Sequence, residues 1–109
     1  MLIAKRKMLA LLAPADTAEA TLLTVGAGKQ VEVMLYISNV TGTAANVTVK
    51  IVSGGVTVPV RTATSLAANA TNDAAPIKVN LSAGDSIKVT SGTANAIAFV
   101  ATGIEYLAK

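Results

Sequence analysis

Few residues in this chain could carry chemistry. The six carboxylates, Asp16, Glu19, Glu32, Asp73, Asp85 and Glu105, are scattered along the sequence. Glycoside hydrolysis by an acid pair needs two carboxyls about 5–9 Å apart across a cleft. These six fall mostly at turns or at outward strand positions, where they read as solvated charges. The sequence has no His, no Cys and no Trp. That excludes an imidazole base, a thiolate nucleophile, a disulfide framework and the usual zinc and iron–sulfur ligand sets. A Ca²⁺ site at Asp73 or Asp85 would have to borrow backbone carbonyls, and neither residue sits in a D-x-D-x-D-G spacing.

Two motif-like runs fail for physical reasons. Gly26-Ala27-Gly28-Lys29 has the ending of a phosphate-binding loop, but Leu23 stands where that loop's first glycine belongs and Gln30 replaces its Ser or Thr. A strand pattern follows where the motif requires a helix, so the run is a turn. Asn39, Asn46, Asn69 and Asn80 each begin an Asn-x-Ser/Thr triplet. Such triplets are glycan acceptors only in a secretory setting, and alternating Thr-rich strands generate them readily. The residues point to no enzyme and to no cofactor.

Lys5-Arg6-Lys7 is the one charge cluster. Nine basic and six acidic residues give a net charge of +3, and the triplet accounts for all of it, leaving residues 8–109 neutral. The domain is therefore not a polyanion binder as a whole. Without interleaved aromatics the triplet lacks the stacking partners of a single-strand nucleic-acid site, so an acidic protein surface is the expected contact. With Met8 to Ala13 and Ala13-Pro14-Ala15 behind it, the triplet imitates a signal peptide. The apolar stretch is shorter than the roughly 7–15 residues such a signal needs. No run approaches the roughly 20 apolar residues that span a bilayer.

The elements that must position these residues are strands. Val31, Val33, Leu35 and Ile37 alternate with Glu32, Met34, Tyr36 and Ser38, a period of two that puts the first set on one face. The same parity recurs in Val47, Val49 and Ile51, in Val56, Val58 and Val60, in Ile77, Val79 and Leu81, and in Ile87 and Val89. Turns at 26–28, 53–55, 82–85 and 91–93 are short enough to make the flanking strands antiparallel neighbours. Pro59 cannot donate to a ladder and belongs on an edge strand. Residues 62–75 are the least regular and form the expected crossover between sheets. In the last strand Ile97 and Phe99 share one parity while Ile104 and Tyr106 have the other. Either a bulge near Thr102-Gly103 returns the later pair to the core, or both faces of this strand are covered. Glu32, Lys50, Arg61, Lys78, Lys88 and Glu105 give each outward face about one charge.

The fold expected is all-β: an antiparallel sandwich, Ig-like or jelly-roll-like, of about seven to nine short strands. Residues 1–18 form a basic arm or edge strand with its turn, and 19–109 the sandwich. Composition adds a surface argument. The chain is 52% hydrophobic and 14% charged, against about 25% charged in a typical soluble domain. A surface so poor in charge is expected to be covered by partner subunits.

The run from Leu12 to Lys29, LAPADTAEATLLTVGAGK, followed by Tyr36-Ile37-Ser38-Asn39, resembles small β-sandwich virion proteins of tailed bacteriophages. Their usual form is a T-L-Y-T-V-P-A-G-K opening and an alternating strand ending near an Asn. Leu81 to Val89 and Ala98 to Glu105 are similar to the same group. This chain departs from it with Leu23 for the customary Tyr and Gly26 for the customary Pro. The resemblance implies a non-enzymatic building block of the virion, assembled in the host cytoplasm. It would be a capsid decoration or cement protein that self-associates, with a trimer favoured, and docks on the major capsid protein or another virion protein. A tail, collar or fibre accessory role is the alternative. From a different class comes a bacterial surface or carbohydrate-binding module stacking sugars on Tyr36 and Tyr106. Neither nucleic acid nor membrane is an expected partner. The assembly contacts expected are Lys5, Arg6, Lys7, Leu9, Leu11, Tyr36 and Tyr106, with the N-terminal segment adding a strand to a neighbouring subunit.

Overall fold

A computed structural model describes residues 2–72 and 76–108, and the side chains of 4–72 and 76–107. Eight strands appear among them: β1 (Leu2–Leu12), β2 (Ala20–Thr24), β3 (Lys29–Asn39), β4 (Ala45–Ser53), β5 (Val56–Leu66), β6 (Ile77–Ser82), β7 (Ser86–Ser91) and β8 (Ile97–Ala108). They form two four-stranded antiparallel sheets, β1-β8-β3-β6 (sheet A) and β2-β7-β4-β5 (sheet B). The first strand pairs with the last, the second with the seventh, the third with the sixth and the fourth with the fifth. A long hairpin rolled up in this way is the jelly-roll form of the sandwich.

The alternation read in the sequence builds the core. Val31, Val33, Leu35 and Ile37 are buried on the inner face of β3, with Phe99 and Ala101 beside them on β8 and Ile77 and Leu81 on β6. Val47, Val49, Ile87 and Val89 answer from sheet B. Phe99 is completely buried and is the largest such side chain.

Four expectations about local structure are corrected. The first concerns the turns. Only Gly54-Gly55 closes a hairpin between sheet neighbours. The turns at 26–28, 82–85 and 91–96 are arches that carry the chain from one sheet to the other. They remain short because the sheets lie about 10 Å apart. Two of them interlock, the Val25 N–H donating to the Asp85 carbonyl and the Gly84 N–H to the Val25 carbonyl, each at 2.9 Å.

The second correction is the last strand. β8 stays in unbroken register with β3 from Ile97 to Leu107, so no bulge at Thr102-Gly103 intervenes. Ile104 and Tyr106 therefore remain on the outer face. Glu105, expected outside, shares the inner parity opposite Val31. The irregularity lies across the ladder on β1, where the pairing skips Leu9. Gly103 explains the rigid register. Its φ is +153°, and a Cβ there would overlap the carbonyl of Glu32 on β3.

Third, Val56 and Val58 are exposed, at 61% and 51%, and only Val60 of that set packs against the core. β5 is an edge strand, as Pro59 requires, and its first half lies beyond the cover of sheet A. Fourth, strand pairing continues through Leu66, so the crossover begins only at Ala67. A positive φ of 42° at Ala63 and a register shift opposite Val49 mark the irregularity that hid this strand in the sequence.

Two asparagines with no assigned role hold the end of the sandwich where β3 leaves the sheet. Asn39 is buried. Its Nδ2 donates to the carbonyls of Thr43 (2.8 Å) and Leu66 (3.0 Å), and its Oδ1 accepts from the N–H and hydroxyl of Thr41. The nitrogen that a glycan would need is thus committed inside the fold. Asn72 extends the β3 ladder beyond the end of β6, accepting from the Ile37 N–H at 2.6 Å and donating to the Leu35 carbonyl at 3.2 Å. A side chain that satisfies edge groups in this way blunts the edge.

Candidate interaction face

The outer face of sheet A collects four of the seven residues expected to make contacts, Arg6, Leu11, Tyr36 and Tyr106. Register places its side chains in rows across β1, β8, β3 and β6: Ala4, Tyr106, Gln30 and Ser82; then Arg6, Ile104, Glu32 and Asn80; then Met8, Thr102, Met34 and Lys78. Leu11, Val100 and Tyr36 follow. The sheet twist makes the middle rows a shallow trough of about 710 Å³ bordered by Arg6, Glu32, Met34, Lys78, Asn80 and Ile104. Its lining mixes the apolar Met34 and Ile104 with the polar Glu32, Asn80 and Thr102. Arg6 and Lys78 stand on opposite rims, on strands three spacings or about 14 Å apart and one row out of line with each other.

The basic triplet does not act as a unit. Alternation sends Arg6 to the outer face while Lys5 and Lys7 take the parity of Glu105. Lys7 Nζ lies 3.3 Å from Glu105 Oε1 and Lys29 Nζ lies 3.8 Å from Oε2, with the Glu105 side chain only 13% exposed. Glu105 thus ties the edge strand to the body, and among the described residues Lys5 and Arg6 are the members of the triplet outside an ion pair. Residues 2–7 pair in full with residues 103–108, so removing 1–7 would strip half of an edge strand instead of a loose arm.

The other expected contacts separate in the same way. Leu9, at the irregularity in β1, is half-buried and packs on the core, whereas Leu11 is 64% exposed. Met8, 59% exposed on the same face, belongs with Leu11. Its position in the apolar stretch gave no sign of which way it would turn. Tyr106 donates its hydroxyl to the Glu32 carboxylate. That hydrogen bond is the main cause holding the Tyr106 phenol above its ordinary pKa, with burial and the Glu32 charge adding to it and Arg6 opposing. Tyr36 lies six positions further along the sheet, about 20 Å from Tyr106 at the rise of a strand, so the two rings do not form one stacking platform.

Among the described residues no three acidic side chains gather as metal ligands. Asp85 accepts from the Ser82 N–H at 2.9 Å and closes an arch, while Asp73 lies outside the described residues. The Gly26–Lys29 turn closes on itself through the Lys29 N–H and the Gly26 carbonyl at 3.2 Å. No helix among the described residues is long and apolar enough to cross a membrane.

No protein-family model matches the chain, and no curated protein matches it in sequence. Among solved structures it is similar to a chain of the Bacillus endospore appendages, described as a novel family of disulfide-linked pili. The TM-score is 0.60 at 17% identity, covering 99% of this chain and 89% of that one. The cysteines of such a linkage have no counterpart here. A second similarity is to the CBM22-1 xylan-binding domain of Paenibacillus barcinonensis Xyn10C, at 14% identity, covering 95% of this chain and 80% of that one. Its TM-score is 0.30, too low to support any inference. What the first similarity establishes is the fold alone, an all-β sandwich.

Proposed function

We propose that this chain is a non-enzymatic structural subunit of a bacteriophage virion, a decoration or cement protein that self-associates and docks on the particle through the edge and outer face of sheet A. The observation that carries the reading is the basic edge strand bordering a half-apolar face. β1 ends sheet A, so its outer backbone groups are unpaired within the sheet and can accept a further strand. Lysines on an edge and an irregularity at Leu9 discourage indiscriminate pairing. They leave the edge selective for a partner whose acidic groups meet Lys5 and Arg6. Met8 and Leu11 then supply apolar contact on the same side. The phage setting comes from the sequence resemblance over residues 12–105, and the fold fits it.

The test is to express the chain together with the proteins encoded beside it and to band the assembled particles on a density gradient. Co-banding at a fixed ratio is expected, and the double variant Lys5→Ala, Arg6→Ala should leave the chain in the soluble fraction with its fold intact by circular dichroism. A wild-type chain that stays soluble while particles form would overturn the reading. A monomer that binds a glycan would move it to the carbohydrate-binding class.

A further inference from the structure

We infer that copies of this chain associate end to end, the hairpin end of one sandwich meeting the Pro14 end of the next. The inference deepens the self-association reading by naming its surfaces.

The two ends differ in chemistry. At one end β1 begins, β8 finishes and the β4–β5 hairpin turns, because Val52 pairs with Ser86 directly after the arch that is bonded to Val25. This end presents Val56 and Val58, both more than half exposed, together with Lys5, while Lys29 is paired with Glu105 and Asp85 is tied to the Ser82 N–H in the 82–85 arch. At the other end the loops 13–19, 40–44, 67–72 and 92–96 are joined by backbone hydrogen bonds. The Asn95 N–H donates to the Pro14 carbonyl, the Val40 N–H to Ala96 and the Asn69 N–H to Thr41. These loops carry Asp16 and Glu19 and no Lys or Arg. Glu19 is held by Lys50 at 3.1 Å, so among the described residues the acid outside an ion pair is Asp16, and Val40, bonded to Ala96 next to the Asn95 that holds Pro14, is 61% exposed. Among the described residues each end therefore has uncovered valine, one end with Lys5, Lys7 and Lys29 in excess over Glu105 and Asp85 and the other with acid and no base.

Such surfaces complement each other and not themselves. Valine against valine excludes water, and the charges favour a head-to-tail orientation over head-to-head by like-charge repulsion. The molecule measures 47 × 27 × 22 Å, so its end offers roughly 600 Å² to a partner, close to the lower limit of specific interfaces. A heterologous contact of this kind closes into a ring or continues as a string.

Sedimentation velocity on the purified full chain over a concentration series tests the inference. The wild type should form species larger than a dimer. Val58→Asp places an acid on the hairpin end and Val40→Lys a base on the Pro14 end. Each should weaken association by roughly a hundredfold, because it sets like charges against each other. A mixture of the two variants should regain association that neither shows alone, since their unaltered ends still match and the acid introduced at one end attracts the base introduced at the other. Val56→Asp and Asp16→Lys repeat the experiment at independent exposed positions, with circular dichroism reporting the fold. A monomeric wild type, variants that assemble like the wild type, or a mixture that stays monomeric would each overturn end-to-end association. Variants that still assemble would leave self-association through sheet A standing. Loss of particle binding in Arg6→Ala, which alters the outer face of sheet A alone, with stacking preserved would separate docking from stacking.

Discussion

β5 and β8 are both long strands that open on apolar residues two positions apart, Val56 and Val58 in one and Ile97 and Phe99 in the other, yet they end in opposite situations. β8 lies between β1 and β3 and buries Phe99 and Ala101 completely. β5 pairs only with β4 and leaves Val56 and Val58 in solvent. Alternation states which side chains share a face. Whether that face is covered depends on the opposite sheet reaching over it, and sheet A does not reach the hairpin. The same difference explains the irregularities. β5, free on one side, accommodates Ala63 at positive φ and a shifted register. β8, paired on both sides, runs without interruption.

The comparison is broken most severely at Gly103. Gly103→Ala forces a Cβ into the Glu32 carbonyl, so β8 must part from β3 or shift its register and misplace Phe99. We expect a loss of about 4 kcal/mol or more in urea-unfolding stability, the range reserved for strain at a special backbone position. A loss below about 1 kcal/mol would mean that the centre of sheet A is as adaptable as its rim. Next comes Asn39→Ala, which removes two donors from the Thr43 and Leu66 carbonyls and an acceptor from Thr41. Leaving such groups unpaired in a buried site costs about 2–3 kcal/mol, and the Leu66 end of β5 should show faster amide exchange. On β5 itself, Val58→Thr should change stability by less than about 0.5 kcal/mol, as an exposed substitution does.

Much of the fold was legible in the sequence. Every strand with strict alternation appeared, the count fell in the expected range, and Pro59 marked its edge. The connectivity was not legible, because a short glycine turn serves a hairpin and an arch equally well. Gly26–Gly28 and Gly54-Gly55 differ in what their strands pack against, which is a property of distant residues. The contact residues were only half legible. Lys5-Arg6-Lys7 stood out as a cluster, but alternation divides it, and the acid that occupies Lys7 lies 98 positions away. Leu9 and Leu11 share a parity in the sequence. One irregularity between Met8 and Ala10 separates their fates, and nothing in the local residues announces it. Asn39 stood out only as a sequon at the end of an alternating strand, and Asn72 only as part of the irregular stretch 62–75, since a buried amide's role depends on which carbonyls the fold brings to it.

The finest distinction lies between the two tyrosines of the outer face. In a Tyr36→Phe background Tyr106 is the one remaining phenol, and an ultraviolet titration follows it alone. Ionising Tyr106 destroys its hydrogen bond to Glu32 and sets two anions together, so the phenol should titrate above its ordinary value of 10.0. Glu32→Gln should bring that titration down, and Arg6→Gln, which removes the opposing cation, should push it further up. The sign carries through to stability. A folded-state pKa above the unfolded value means that the folded chain holds its proton longer. The contribution is therefore fully present below pH 10 and is lost as the pH rises through the folded value. Lysines titrate in the same region, so the informative quantity is the difference in alkaline destabilisation between this background and the same background carrying Tyr106→Phe. An unchanged titration in Glu32→Gln would mean that the outer face of sheet A does not hold its tyrosine, and that the trough beside Arg6 is as loosely ordered as the exposed valines of β5.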